Sequence, residues 1–254
     1  IKSQFGKITK IIIMKFTLDI VDWRAVAPGV DSCDHWIQWA RCSDINTFSG
    51  ANPKSQQIPM MSARRMSIGS RFAVDSGLAL LVNNNVDAAI FTSRHGELEK
   101  TGRILHSLAG GEALSPTEFS MSVHNTAAGW LTIISKNPLP VTSLTAGKDS
   151  FHQGMLEAQS MLATGASRVM LVDFDGEIPD IYNESVNSEF LPYAVAIILT
   201  AGDTLKCQRI SLSGEDMNPE LPQSLQFLRG YLSSSPLFHI SVDNRHSWQW
   251  VRNL

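Results

Sequence analysis

The chain has 254 residues and carries 21 basic and 24 acidic side chains, a formal charge of −3; no basic block marks it as a nucleic-acid binder. Charged residues make up 18% against 43% hydrophobic, a lean balance that leaves apolar surface to be covered and favours a lasting protein partner. Its three cysteines, Cys33, Cys42 and Cys207, are widely spaced and fit neither a disulfide framework nor a metal motif, which indicates a reducing, cytoplasmic setting. Apolar runs such as Ala194–Leu199 are too short to span a bilayer, so no integral membrane segment is expected.

Residues 1–13 precede Met14 and read as an upstream extension that is not native to the domain; residues 14–254 are expected to form a single domain. Phe16–Val21 reads as a strand, followed by a loop and a short helix carrying Trp36 and Trp39. The stretch Ser49–Pro59 is rich in Gly, Pro, Ser and Asn and reads as an exposed loop. A helix follows with Phe72, Val74, Leu78 and Leu81 on its apolar face, ended by Asn83–Asn85. Val86–Thr92 is a buried strand. The next helix, over Gly96–Leu108, aligns Leu98, Thr101, Leu105 and Leu108 and is closed by Gly110 and Gly111. A loop carries Phe119 and Met121, and a small-residue helix then offers Ala127, Ala128 and Gly129 for close packing.

The stretch PVTSLTAGKDSFHQG, Pro140–Gly154, joins a β-branched strand to a helix through a tight turn. Ser150 and Gln153 form an S-x-x-Q pattern, which predicts a capping box at the helix start. Phe151, Met155, Ala158 and Leu162 share a face, and Gly165 ends the helix. Ser167–Asp175 is a continuous apolar strand of the kind buried on both faces. Pro192–Leu199 and Lys206–Leu212 read as two further strands, and Pro219–Leu232 as a last helix. Strands alternating with helices predict a layered α/β fold with a mainly parallel or mixed sheet.

A helix N-terminus after a buried strand stabilises negative charge and suits a nucleophile. Here the turn offers Gly147, Lys148 and Asp149 but no cysteine. Ser150 reads as an N-cap before it reads as a nucleophile, and Lys148 as an ordinary exposed turn lysine that could also reach a partner. The seven histidines share no ligand spacing, so neither a metal nor a cofactor is expected. His124 reads as a buried, hydrogen-bonded residue at a helix start, and His152 as facing solvent or a neighbour. The acids of Asp173–Glu177 read as a solvated loop. Lys148 is followed by Asp149, not Ser or Thr, so the turn is not a phosphate loop.

Several segments together resemble the β-ketoacyl synthases of the thiolase superfamily. Ser62–Leu81 is similar to the family's R-x-M-x-x-x-x-R-F-A helix, and Ser115–Ile133 to its S-P-x-x-F-x-x-S-x-x-N-x-x-A-G-x-L-x-I segment. Ser143–Ala158 sits where the family has T-A-C and a helix, and Gly165–Asp175 resembles the strand that follows. The resemblance implies a thiolase/ketosynthase-like fold, limited to the N-terminal half of a ketosynthase. It departs from the family at the nucleophile, whose place falls on Gly147 or Lys148, and the P-x-x-x-x-G-H and H-G-T-G-T type histidine motifs do not occur.

The chain resembles above all the chain-length-factor-like proteins of aryl polyene pathways. That implies an inert subunit that pairs with a full-length ketosynthase as a heterodimer, meets acyl carrier protein through the complex, and helps wall an acyl tunnel. The strand before the turn would lie near the two-fold. Tunnel candidates are Leu98, Thr101, Leu105, Phe119 and Met121, for which ordinary core packing is the competing reading. An independent acyltransferase or thioesterase using Ser150 or Ser143 is the alternative, and a malonyl-thioester decarboxylase a weaker one.

Overall fold

The computed structural model describes residues 14–42, 48–182, 192–211, 221–243 and 245–253. The expected extension, residues 1–13, lies outside them. In chain order the strands are β1 (Lys15–Val26), β2 (Ala88–Thr92), β3 (Val141–Leu144), β4 (Val169–Asp175), β5 (Tyr193–Ser211), β6 (Leu237–Asp243) and β7 (His246–Arg252). The helices are α1 (Cys33–Arg41), α2 (Met60–Ala63), α3 (Ile68–Leu81), α4 (Leu98–Ala109), α5 (Pro116–Ser120), α6 (Thr126–Ser135), α7 (Ser150–Ala163) and α8 (Gln223–Leu232).

The strands form one mixed sheet in the order β3-β2-β4-β5-β7-β6, with β1 antiparallel to β5. Among the described residues only the β2–β3 and β2–β4 pairs are parallel, so of the two expected sheet types the structure takes the mixed one. Alternation along the strands sorts side chains into two cores. Val169 and Leu171 of β4 and Val195, Ile197 and Leu199 of β5 join α1, α7 and α8 on one face. Met170, Val172, Phe174, Ala194, Ala196 and Ile198 join α3 and α6 on the other. The result is a helix–sheet–helix sandwich, and both faces of β4 are dry, as its apolar run predicts. Each fully buried Leu, Ile or Phe contributes about 1.5–3 kcal/mol over leaving it exposed.

Three sequence expectations are corrected here. β1 runs on past Val21 to Val26, and β5 is one strand where two were expected. The exposed Ala201–Thr204 stretch looks like a break in sequence, but Asp19 Oδ1 accepts from Thr204 N at 2.9 Å and Thr204 Oγ1 at 2.7 Å, and holds it in place. Register shifts in the β1–β5 ladder near Asp19 bend the pair there. β4 pairs with Tyr193–Leu199 and β7 with Leu205–Ser211, so the two succeed one another along β5. The bend carries β7 round to the first turn of α7. Finally, Gly129 is exposed with open space about it, so close packing on α6 falls to Ala127 and Ala128 alone.

α3 is capped by Ser67, whose Oγ accepts from Ser70 N at 3.2 Å. It is buried along most of its length because it sits between the sheet and α6. α7 lies equally close to the sheet at Gly154, where an added Cβ would stand 2.6 Å from Thr92 Cγ2 and 2.8 Å from Leu171 Cδ1. Gly154→Ala is therefore expected to destabilise the fold by about 1–3 kcal/mol through overpacking, measured as a lower midpoint in urea unfolding.

Candidate functional site

The strand–turn–helix of Pro140–Gly154 is present. β3 ends at Leu144, a single 3₁₀ turn spans Gly147–Asp149, and α7 starts at Ser150. Gly147 sits at φ +60°, the left-handed region where a side chain is strained, although space around it is open. Lys148 is exposed on the turn.

The predicted capping box does not form. Ser150 is the first helical residue and is buried; its Oγ accepts from Ala146 N at 2.9 Å and donates to Gly147 O at 2.8 Å. Gln153 does not reach back to the backbone but donates from Nε2 to Asp149 Oδ2 at 2.8 Å. Asp149 is thus the centre of the turn. Its Oδ1 also accepts from Trp248 Nε1 at 2.7 Å and from Gln223 Nε2 at 3.1 Å. The place where the helix dipole favours an anion is held by a carboxylate with three side-chain donors.

His152 is also corrected: it is fully buried, not turned to solvent. Its ring stacks on Trp248 at 4.9 Å, with 1° between the planes. Trp250 Nε1 donates to His152 Nε2 at 3.1 Å, so the other ring nitrogen, Nδ1, carries the proton and donates to Gln223 Oε1 at 2.6 Å. Burial pushes the His152 pKa down to about 4, against the opposing pull of Gln223 and the Asp149 charge. Both ring nitrogens are committed, so the histidine has none left to serve as a base for Ser150. A serine nucleophile needs such a base within reach. Ser143 lies half-buried on β3.

The cysteines offer no substitute. Cys33 and Cys42 are at the ends of α1, and Cys207 is buried on β5, where burial and then the Asp149 charge push its thiol pKa well up. A protonated, buried thiol is inert.

A second buried network stands beside the first. The Asp173–Glu177 acids are not a solvated loop at their start: Asp173 and Asp175 are buried at the end of β4. Asp173 accepts from Thr92 Oγ1 at 2.5 Å, Tyr193 OH at 2.9 Å and Ser224 Oγ at 2.6 Å. Burial raises its pKa, and the three hydroxyls work against that rise. Asp175 accepts from Ser93 Oγ at 2.6 Å and His95 N at 2.8 Å, and burial raises its pKa to about 7. These bonds fix the loop that leads into α4. His124 is half-buried, its Nε2 at 3.2 Å from Ser93 O in the same loop. Glu97, buried with a raised pKa, takes the Ser70 hydroxyl.

Four of the tunnel candidates lie on helices, Leu98, Thr101 and Leu105 on α4 and Phe119, expected in a loop, on α5. Leu98 and Thr101 are half-buried on α4, Leu105 is 43% exposed, and Phe119 of α5 is 64% exposed. Met121 packs against the α3–α6 core. The buried positions of α4 are Lys100 and Gly102, not its leucine stripe. Among the described residues no group of three His, Cys, Asp or Glu side chains is placed to hold a metal ion, and no helix is long and apolar enough to cross a membrane.

Residues 36–251 match the profile of the β-ketoacyl synthase N-terminal domain. The chain belongs to that family. It is similar to a chain in the structure of a ketosynthase (ApeO) in complex with its chain length factor (ApeC) from Xenorhabdus doucetiae, at 46% identity and a TM-score of 0.89; the match covers 93% of this chain and 100% of that one. The ishigamide ketosynthase/chain length factor shares the fold, with a TM-score of 0.72 at 11% identity over 94% of this chain and 100% of that one. A β-ketoacyl synthase from Burkholderia phymatum STM815 shares it more loosely, with a TM-score of 0.56 at 13% identity over 88% of this chain and 71% of that one. A search of curated protein sequences gave no significant match.

Sequence reasoning missed Asp149 as a hub and missed Gln223, Trp248 and Trp250. A signal was there: HSWQWVR, His246–Arg252, alternates and puts both tryptophans on one face of a strand. Because the fold keeps His152 neutral, its share of stability is full above about pH 6.5 and is lost as pH falls toward 4. The loss is about 3 kcal/mol in wild type. His152→Gln is expected to flatten this dependence, read as the wild-type-minus-variant difference in unfolding free energy between pH 7 and pH 4.

Proposed function

We propose that the chain is a non-catalytic, chain-length-factor-type subunit. In this reading it pairs with a full-length, active β-ketoacyl-ACP synthase, stabilises it and helps shape the tunnel for the growing acyl chain; acyl carrier protein meets it through the complex. The observation that carries this reading is the Asp149 carboxylate at the start of α7. Three side-chain donors hold it directly after Gly147 and Lys148, the two positions on which the family's nucleophile would fall. A Claisen condensation needs an acyl thioester on a thiolate, with donors for the developing oxyanion, and this turn supplies an internal anion. The similarity to the ketosynthase–chain length factor structure supports the same reading. That match runs over the whole of the other chain, which makes it a match between chains of comparable length.

The surface supports a partner. β3 is an edge strand, bonded only to β2 among the described residues, and such an edge invites pairing. Near it in sequence Leu105, Leu108, Phe119, Val123 and Ile133 are exposed, more than scattered surface apolar residues require. We assign β3 to the partner interface near a two-fold, and α4 with α5 to the wall of the partner's acyl tunnel, through Leu98, Thr101, Leu105, Phe119 and Met121.

The test is assembly. The tagged chain, expressed in its own host, is expected to bring down a β-ketoacyl synthase identified by mass spectrometry, and the two purified proteins to co-elute as a heterodimer. A chain that stays monomeric beside the synthases of that host overturns the reading. Thr101→Phe is then expected to shorten the products made by the complex; unchanged product length removes Thr101 from the tunnel.

A further inference from the structure

The edge strand carries a charge pattern that says what can pair with it. Between Glu118 and Asp149 the sequence contains no Asp or Glu, although the chain as a whole is net acidic. Asp149 itself is turned inward and bonded to Gln153, Gln223 and Trp248. The formal charges of this stretch are therefore Lys136, at the end of α6, and Lys148, on the turn after β3; both are exposed. One precedes the four-residue edge strand and the other follows it.

A second copy pairing through β3 would do so about a two-fold axis, with antiparallel strands. That geometry lays the Lys148 end of each copy beside the Lys136 end of the other and creates two like-charge contacts. We propose that Lys136 and Lys148 make this edge reject a second copy of the chain and select a partner strand flanked by carboxylates. The proposal rests on the reading of β3 as the partner-facing edge, and it adds what chooses the partner.

Charge reversal tests it. Lys136 has φ 53°, a conformation that Asp tolerates better than Glu, so the variants are Lys136→Asp and Lys148→Glu, each checked for fold by circular dichroism. Either single variant converts both like-charge contacts of a self-pair into attractions. Each is expected to self-associate roughly tenfold more tightly than wild type in sedimentation velocity at low salt. The double variant restores like charges and is expected to return to wild-type behaviour. The gain should vanish near 1 M salt, where screening acts within about 3 Å. Single variants that self-associate no more than wild type overturn the rejection of a second copy.

Against the purified ketosynthase that co-elutes with wild type, the double variant is expected to bind roughly tenfold more weakly. Unchanged binding overturns the selection of carboxylates. If wild type binds no ketosynthase, the functional reading above falls, and the partner half of this proposal with it. The self-association result still decides whether the edge excludes its own copy.

Discussion

One carboxylate ties the parts of this molecule together. Asp149 ends the turn after β3, begins the helix that packs on β2 and β4, and is bonded to Gln223 of α8 and Trp248 of β7. A charged acceptor with neutral donors makes hydrogen bonds of about 1.5–3 kcal/mol each, and burying it without them would cost more than it returns. The C-terminal elements α8, β6 and β7 are therefore a structural requirement of the turn, and the turn is their anchor. Gln223 is the shared piece: its amide donates to Asp149 and to Ser241 O, and its carbonyl oxygen accepts from His152. Ser224, next along α8, reaches Asp173. One helix start thus joins the end of β4 to the start of α7.

The same arrangement places a carboxylate at the start of α7, where the helix dipole favours an anion. The strand before the turn, β3, is half-buried at the sheet edge, and the protein itself supplies the negative charge that the helix start favours. Asp149 accepts three side-chain hydrogen bonds, and the neutral imidazole of His152 behind it has both ring nitrogens bonded. Leu105 and Leu108 of α4, Phe119 of α5 and Ile133 of α6 are exposed, and β3 lies at the sheet edge.

Much of the architecture was legible because its signals are local. The unbroken apolar run of β4, the face of α7 formed by Phe151, Met155, Ala158 and Leu162, and the face of α3 formed by Phe72, Val74, Leu78 and Leu81 each declare an element without reference to the rest. The misreadings share a cause: the decisive partner is far away in sequence. His152 lies beside the apolar face of α7 and would be solvated on an isolated helix; it is buried because β7 covers that side as well. The S-x-x-Q pattern at Ser150 is satisfied differently because Asp149 competes for Gln153. Ala201–Thr204 looks like a break because Asp19, which holds it in the ladder, is far upstream. The resemblance to ketosynthases supplied the fold as a whole, and Gly147, Lys148 and Asp149 read as a turn without a cysteine. Neither could show that Asp149 gathers Gln153, Gln223 and Trp248.

The reach of β5 also governs how the chain is made. β1 is made long before β5, yet among the described residues its ladder is with Ala194–Gln208, roughly two-thirds of the chain later. Until those residues have left the ribosome, β1 can pack against α1 and α3 but has no strand to pair with, and Asp149 in turn waits for Gln223 and Trp248. Folding dominated by such distant pairings is slow, and it leaves strand edges exposed while it proceeds. The partner that we propose for β3 would then meet a chain whose opposite end has only just closed.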